Sequence, residues 1–368
     1  MFIISPLIRL VLRIVTYVLY AITLISAFGG YVNPGISSIP GALITVFPYF
    51  LIATIIAILA WAFTGKLFTA GLGVIVIVLA WGPITTVFPL HFSSSPSEGA
   101  KTFKLLTYNI LHGDDQEKGN DAPGNRSFEY IIDSGADIVC LQEMFNVHNP
   151  KEVHNLDSFE ARLDSIYPYQ AGDPGTDTKV LSKYPIRQIP SISFFGTASN
   201  PIRYTAYTVH IKGRQMTLIN MHLNSYALSD TERNLVKDLA SVKNSKKGFK
   251  ELKGPLATKL RNNLIWRWEN VRIMREAINN VKGPLIICGD FNDVPASYCY
   301  RLLMGDDMKD AYVETSFGPM VTYNRHAFWF HLDQIFYRGP LKALSVKKGN
   351  IKSSDHYPLI ADFEFTED

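Results

Sequence analysis

Three cysteines in 368 residues are too few, and odd in number, for a disulfide framework. Cys140, Cys288 and Cys299 have no zinc-ligand spacing. Cys140 and Cys288 lie in short apolar runs that suit buried small side chains, and a bridge between those two is the one pairing left open. No Gly-x-Ser-x-Gly nucleophile elbow occurs, so a serine-hydrolase mechanism has no support. No repeat of fixed period is visible. The basic excess typical of a nonspecific nucleic-acid binder is also missing, since 36 Lys and Arg face 33 Asp and Glu, a net of +3. The most informative lack is of charge near the start: before Glu98 the only formal charges are Arg9, Arg13 and Lys66.

That charge-poor region contains three apolar stretches, 10–28, 42–64 and 67–90. Each has about 20 residues, enough to cross roughly 30 Å of hydrocarbon as a helix. A soluble helical domain would need polar outer faces, which these stretches do not have. A cleaved signal peptide fits poorly, because two more stretches follow the first and no small-residue cleavage site is evident. Arg9, Arg13 and Lys66 place the N-terminus and the second turn in the cytoplasm by the positive-inside rule. Three crossings then leave the rest of the chain outside. The expected organisation is a membrane domain of three transmembrane helices over 1–92, a linker over 93–100 and a soluble domain over 101–368. Four serines, a proline and a glycine give the linker the composition of a flexible tether.

Past residue 100 the charges balance: 36 less 3 leaves 33 basic residues, and 33 less 1 leaves 32 acidic ones. Short apolar runs end repeatedly in polar residues. Residues 103–108 lead into Asn109, 137–141 into Gln142 and Glu143, 216–220 into His222, and 284–288 into Gly289 and Asp290. Asp333 lies inside the run 332–337. Helical periodicity covers 128–134, 158–166 and, most clearly, 264–281. Strands alternating with helices, with polar residues at strand ends, predict an α/β domain whose ligand gathers at one end of the sheet.

The polar residues at those ends carry chemistry. In Gly289-Asp290-Phe291-Asn292 a glycine allows a sharp turn, and residues two apart can point to one side. A carboxylate and an amide so placed suit an attacking water and a phosphate oxygen. Glu143 at a strand end is a natural ligand for a hard cation. Asp333 within an apolar run must be paired, and His356, beside Asp355, is its candidate partner. His222 or Asn109 taken alone could equally be a satisfied core or turn residue.

Their order along the chain is more specific than any one of them. Thr-Tyr-Asn109, Leu-Gln-Glu143, Asn-Met-His222-Leu, Gly-Asp290-Phe-Asn292, Leu-Asp333-Gln-Ile and Ser-Asp355-His356-Tyr-Pro, with Thr-Lys-Val-Leu-Ser-Lys-Tyr-Pro-Ile at 178–186 matching as one strand, resemble the endonuclease/exonuclease/phosphatase superfamily, the deoxyribonuclease-I-like fold, in a membrane-anchored, bacterial-type member. The resemblance spans residues 101–365. It implies a four-layer sandwich of two mixed β-sheets flanked by helices, and phosphoester hydrolysis with Mg2+ or Mn2+. It further implies Glu143 as principal metal ligand with Asn109 and Asp355 near the metal. Asp290 would orient or deprotonate water, Asn292 hold the phosphate, His222 and His356 donate to its oxygens, and Asp333 pair with His356. His331 departs from the pattern, since many members carry Arg there.

The substrate is less legible. Residues 226–275 hold twelve Lys and Arg against five Asp and Glu, including Lys243, Lys246, Lys247, Lys250 and Lys253, followed by Leu264, Trp266 and Trp268. Basic residues followed by Trp and Leu suit anionic headgroups. The expected partners are therefore a lipid bilayer and a phosphoester, most simply a phospholipid or sphingolipid headgroup. The alternatives are an extracytoplasmic nuclease gripping a nucleic-acid backbone, or an inactive scaffold. No protein partner is identifiable. The expected location is the cytoplasmic membrane, with the catalytic domain facing the periplasm or exterior. A reporter fused after Asp368 should be active only outside the cytoplasm, and activity confined to the cytoplasm would overturn that topology.

Overall fold

The computed structural model describes residues 6–113, 125–144, 156–172, 177–193, 203–225, 254–325 and 330–367, together with Glu232. The chain opens with helix α1 (Pro6–Ala27), continued by a 3-10 turn (Gly29–Tyr31). Then follow α2 (Ser38–Thr45), α3 (Phe47–Phe63), α4 (Leu67–Leu79) and α5 (Trp81–Val87). Of the three expected spans, the first is one helix long and apolar enough to cross a membrane, with mean hydropathy 2.0. The other two are broken: α2 and α3 meet at 66°, and α4 and α5 at 65°. Proline explains both breaks. Pro48 in the first turn of α3 and Pro83 in α5 lack the N–H that would continue the preceding helix. Three crossings result only if each bent pair counts as one span.

Polar pairs hold these helices together. The Thr23 and Thr54 hydroxyls lie 2.8 Å apart, Trp61 Nε1 donates to Thr16 Oγ1 at 2.9 Å, and Tyr20 Oη donates to the Thr69 carbonyl at 3.3 Å. Outward-facing side chains are apolar, among them Leu7, Ile56, Phe63 and Phe68. In an apolar medium such inward polar contacts and outward hydrocarbon are complementary.

Two six-stranded sheets follow. The strands that matter for the site are β1 (Thr102–Asn109), β2 (Ile138–Gln142), β7 (Arg214–His222), β8 (Leu285–Asp290), β10 (Asp333–Arg338) and β12 (Leu359–Phe365). With β3 (Tyr169–Gly172), β4 (Lys179–Ser182), β5 (Ile186–Gln188), β6 (Arg203–Ile211), β9 (Lys309–Asp310) and β11 (Leu341–Lys348), the first sheet runs β11-β12-β1-β2-β4-β3 and the second β5-β6-β7-β8-β10-β9. Pairs β1–β2 and β7–β8 are parallel and the rest antiparallel, so both sheets are mixed. Alternation along these runs fills both faces. Leu105, Ile138, Cys140, Ile286 and Cys288 point into the core between the sheets. Leu106, Tyr108, Val139 and Leu141 face α6 (Arg126–Asp133) and α7 (Leu156–Ile166). Leu285 and Ile287 face α8 (Pro255–Ile278) and α9 (Tyr298–Met304). Apolar on both sides, such strands must be covered by layers on both sides. The expected sandwich of two mixed sheets flanked by helices is therefore present.

All three cysteines are free and buried, and burial together with the neighbouring Cys288 thiol raises the Cys140 pKa. The segment 178–186 is two strands, not one. Lys179–Ser182 belongs to the first sheet and Ile186–Gln188 to the second, because Tyr184-Pro185 carries the chain across. The expected flexible linker is instead pinned to the domain. Ser94 N donates to the Leu344 carbonyl at 2.8 Å, and Ser97 N and Oγ donate to the Glu364 carboxylate at 2.7 and 3.0 Å. Serine is soluble loop composition, but it is also a donor wherever a buried acceptor such as Glu364 is exposed to it.

The two sheets are joined near the rim by amides. Gln142 Nε2 donates to Asn220 Oδ1 at 2.7 Å, and Asn220 Nδ2 donates to the Leu141 and Lys179 carbonyls at 3.0 and 3.1 Å. Asn220→Ala should lower stability by about 1–3 kcal/mol, since it strands buried partners. Denaturant midpoints of the full chain in detergent measure this, and an unchanged midpoint would deny the joint a stabilising role.

Candidate active site

Strand register sets the geometry. Asp290 ends β8 and stands opposite His222, the end of β7, on one side and Asp333, the start of β10, on the other. Asn109 ends β1 opposite Gln142, and Glu143 follows β2. His356 precedes β12 and bridges to Tyr323, whose ring meets the imidazole edge-on at 5.0 Å. The sequence-expected residues thus come from six strand ends on one rim.

Asp290 is the centre. Its Oδ1 accepts from the Asn292 backbone N–H at 2.8 Å. Its Oδ2 accepts from Asn109 Nδ2 at 3.1 Å and Asn292 Nδ2 at 3.2 Å. His356 Nε2 lies 3.5 Å and His222 Nε2 3.7 Å from that same oxygen. Each ring is held from behind by another carboxylate. His356 Nδ1 is 2.8 Å from Asp333 Oδ2, and His222 Nδ1 is 2.6 Å from Asp177 Oδ2. Burial disfavours the charged His222 ring, but Asp177, Asp290 and Glu143 outweigh it and hold the pKa up to about 9. Burial likewise opposes charge on His356, and Asp333 and Asp290 prevail, raising it well above the ordinary value. Burial, with Asp333 nearby, raises Asp290 against the pull of both imidazoles. His331, buried with only weak help from Asp333, is pushed down to about 4 and is neutral.

Glu143 completes the set. Its Oε1 accepts from Asn109 Nδ2 at 2.9 Å, and its Oε2 lies 3.5 Å from His112 Nε2. Asn292 turns its amide N–H groups towards Asp290 and the Leu223 carbonyl, at 2.8 Å from the latter. Asp355 lies 3.5 Å from Arg325. Arg267, wholly buried on α8, donates to the Asn224 carbonyl and lies 3.5 Å from Asp293, tying the segment after His222 to the one after Asp290. Leu111, His112, Glu143, Asn292 and Ala296 all have left-handed backbone, five of the six non-glycine cases among the described residues. That conformation costs about 1–2 kcal/mol each, and it concentrates where function over-determines the backbone.

The donors suit a hard cation. Glu143 is partly open to solvent, and Asp333 Oδ1 and Asp355 Oδ1 are buried oxygens with no hydrogen-bond partner among the described residues. Asp290, Asp333 and His356 are also near enough together to grip an ion. Both nitrogens of the His356 ring already face carboxylates, however, and a ring so protonated has no lone pair to give. The oxygens around Glu143 are the better fit.

Two residues of this arrangement were not singled out from the sequence. Asp177 lies just before the strand Lys179–Ser182, and His112 three residues after Asn109. An Asp before a Thr-Lys strand is ordinary turn composition, so only the fold brings it to His222. The segment 226–253, with Lys243, Lys246, Lys247, Lys250 and Lys253, lies outside the described residues apart from Glu232. On α8, Lys259, Arg272 and Arg275 pair with Glu232, Glu276 and Asp307, Leu264 is buried, and Trp268 packs against Gly35.

A sheet sandwich with carboxylates, amides and two acid-backed histidines converging on one rim defines a phosphoester hydrolase. Residues 106–356 match the model of the Endonuclease/Exonuclease/phosphatase family, and the chain belongs to that family, whose members are divalent-metal-dependent hydrolases. A second family model, a domain of unknown function, matches residues 9–87. No curated protein matches the chain. Among solved structures, a humanized D. rerio TDP2 with 14 mutations is similar at TM-score 0.50 and 16% identity, covering 72% of this chain and 99% of that one. The human Nocturnin catalytic domain with bound sulfate has TM-score 0.46 and 20% identity, covering 73% and 96%. An endonuclease/exonuclease/phosphatase from Beutenbergia cavernae has 0.45 and 15%, covering 72% of each. At such identity the first of these likenesses speaks to fold alone, and the other two carry no argument.

Asp177→Asn should lower turnover by about tenfold to a hundredfold, as loss of a carboxylate that orients a working imidazole does. Steady-state rates of the folded variant measure it, and wild-type turnover would reduce Asp177 to a packing role.

Proposed function

We propose that the chain is a membrane-anchored, metal-dependent phosphoesterase acting on a phospholipid or sphingolipid headgroup at the outer face of the membrane. In this reading residues 1–92 are the anchor and 101–368 the catalytic domain. One observation carries the lipid assignment. Val294, Ala296 and Leu332, from the segments flanking Asn292 and Asp333, share one apolar cluster with Ala27, Ile44, Phe47, Leu51 and Ala80 of the N-terminal helices. The catalytic rim is therefore built directly onto the part of the chain that is apolar enough to enter a bilayer.

A divalent ion, Mg2+ or Mn2+, bound by Glu143 with Asn109 and Asp355 nearby, would neutralise charge on a non-bridging phosphate oxygen. The protein's own groups do the rest. His222 and His356, held protonated by Asp177 and Asp333, donate from Nε2 to phosphoryl oxygens as charge grows there. Asp290 orients an attacking water and takes its proton. Asn292, bonded to both oxygens of Asp290, fixes that carboxylate and borders the phosphate.

A nuclease is the other reading, and the described basic residues of α8 give it little help because, Arg261 excepted, they are paired or buried. The test offers the full chain in detergent, with Mg2+ or Mn2+, a panel of sphingomyelin, glycerophospholipids, phosphoinositides and plasmid DNA. Lipid turnover that falls at least about a hundredfold in Asp290→Ala and His356→Ala is expected. Rapid DNA cleavage without lipid turnover would reject the lipid reading, and full activity in those variants would reject the site.

A further inference from the structure

The turn between α1 and α2, residues 29–35, reaches out of the apolar helices and touches the segment that follows Asp290. Gly30 sits against Ala296 with no room to spare. A Cβ there would overlap the Ala296 carbonyl oxygen and lie 2.9 Å from the carbonyl carbons of Ala296 and Ser297. Beside it, the Arg301 guanidinium lies over the Tyr31 ring at 3.5 Å, and Asn33 Nδ2 donates to Tyr298 Oη at 3.4 Å. Three contacts of different kinds, steric, cation–π and hydrogen-bonding, converge on residues 296–301.

Those residues are coupled to the centre by backbone. Ala296 at φ 64° and Asn292 at φ 49° are both left-handed and only four residues apart. Neither is a glycine, so the intervening segment keeps that shape only while its surroundings enforce it. The enforcement from the sheet side is the pair of bonds from Asn292 to Asp290, the bond from Asn292 to the Leu223 carbonyl and the Arg267–Asp293 pair. From the other side it is the turn.

We infer that residues 29–35 are a positioning element of the catalytic centre, which fixes the Asn292–Ala296 segment and through it the attitude of Asp290. This rests on the phosphoesterase reading and adds to it that the N-terminal helices take part in setting the rate as well as the location. Asp290 is built into β8, so the consequence falls on its carboxylate orientation and not on its presence. The effect should appear mainly in kcat, because the segment carries only Asn292 among the groups that meet the phosphate, while His222, His356 and Glu143, on other strand ends, keep KM nearly constant.

The experiment uses the full chain in lipid nanodiscs with Mg2+ or Mn2+, the best substrate of the panel, and bis(p-nitrophenyl) phosphate as a soluble phosphodiester. Gly30→Val forces the turn off Ala296, and Tyr31→Ala/Asn33→Ala removes the other two contacts without adding bulk. Gly71→Val and Gly82→Val are controls, since a Cβ at either meets nothing within 4 Å. Expected is a fall in kcat of at least about tenfold for Gly30→Val and about threefold or more for the double variant, on both substrates, with KM within about twofold and thermal midpoints near wild type. The controls keep wild-type rates. Wild-type kcat in both variants, or a rise in KM alone, overturns the assignment. So does a rate loss matched by equal loss of folded protein in the double variant, which decides the matter if Gly30→Val fails to fold. A wild-type protein inactive on every phosphoester would instead remove the underlying reading.

Discussion

A single buried carboxylate organises this molecule. Asp290 is nearly inaccessible to water, and an ionised group so placed is tolerable only if donors surround it. They come from both sheets and from the loop beyond it: Asn109 from the first sheet, His222 and His356 from neighbouring strand ends, and the amide of Asn292. Each depends on the sandwich being closed in one register. A slip of one residue in β8 would turn Asp290 to the opposite face and exchange Ile287 for Cys288 in the core. The fold and the chemistry therefore share one constraint. The symmetry about Asp290, with an imidazole on each side and a further acid behind each imidazole, takes one member of each pair from each sheet: His222 and Asp333 from the neighbours of β8, Asp177 and His356 from just before strands of the first sheet.

Much of this was legible because the apolar runs are short and stop at polar residues. Strands buried on both faces carry few polar residues inside, and those, such as Asn220, must be hydrogen-bonded, so Asn109, Glu143, His222 and Asp290 stand out where the runs end. Asp333 was visible as a charge that an apolar run could not leave unpaired, and His356 is its partner. Asp177 was not visible, because a loop aspartate has no local signature and reaches His222 across the first sheet's edge. The crossing at Tyr184-Pro185 was hidden for a related reason, since a short motif matched as one strand carries no local sign that the chain changes sheets within it. The linker was misread because composition reports what a segment can do in water, not which acceptors the folded domain presents to it. Similarly, hydropathy counts apolar residues without registering the prolines that bend α2–α3 and α4–α5.

The N-terminal helices and the sandwich are less separable than their compositions imply. Their shared apolar cluster contains residues from both sides of the boundary, and the hydrogen-bonded threonines and Trp61 within the helices give that bundle a definite packing. Helices held in register by polar contacts can present a turn such as 29–35 in one place. A greasy bundle without them would rotate freely and could not.

The pinning of residues 91–97 along the sheet edge has a kinetic meaning. A domain on a loose leash sweeps a volume and meets its targets in three dimensions. On the proposed membrane-anchored reading, one whose leash is bonded down at Ser94 and Ser97 keeps a constant height and tilt above the bilayer. If the target is the proposed lipid headgroup, its encounters are then two-dimensional, governed by how densely that lipid populates the leaflet, and dilution of the leaflet with inert lipid would slow it even when the total amount of target is unchanged.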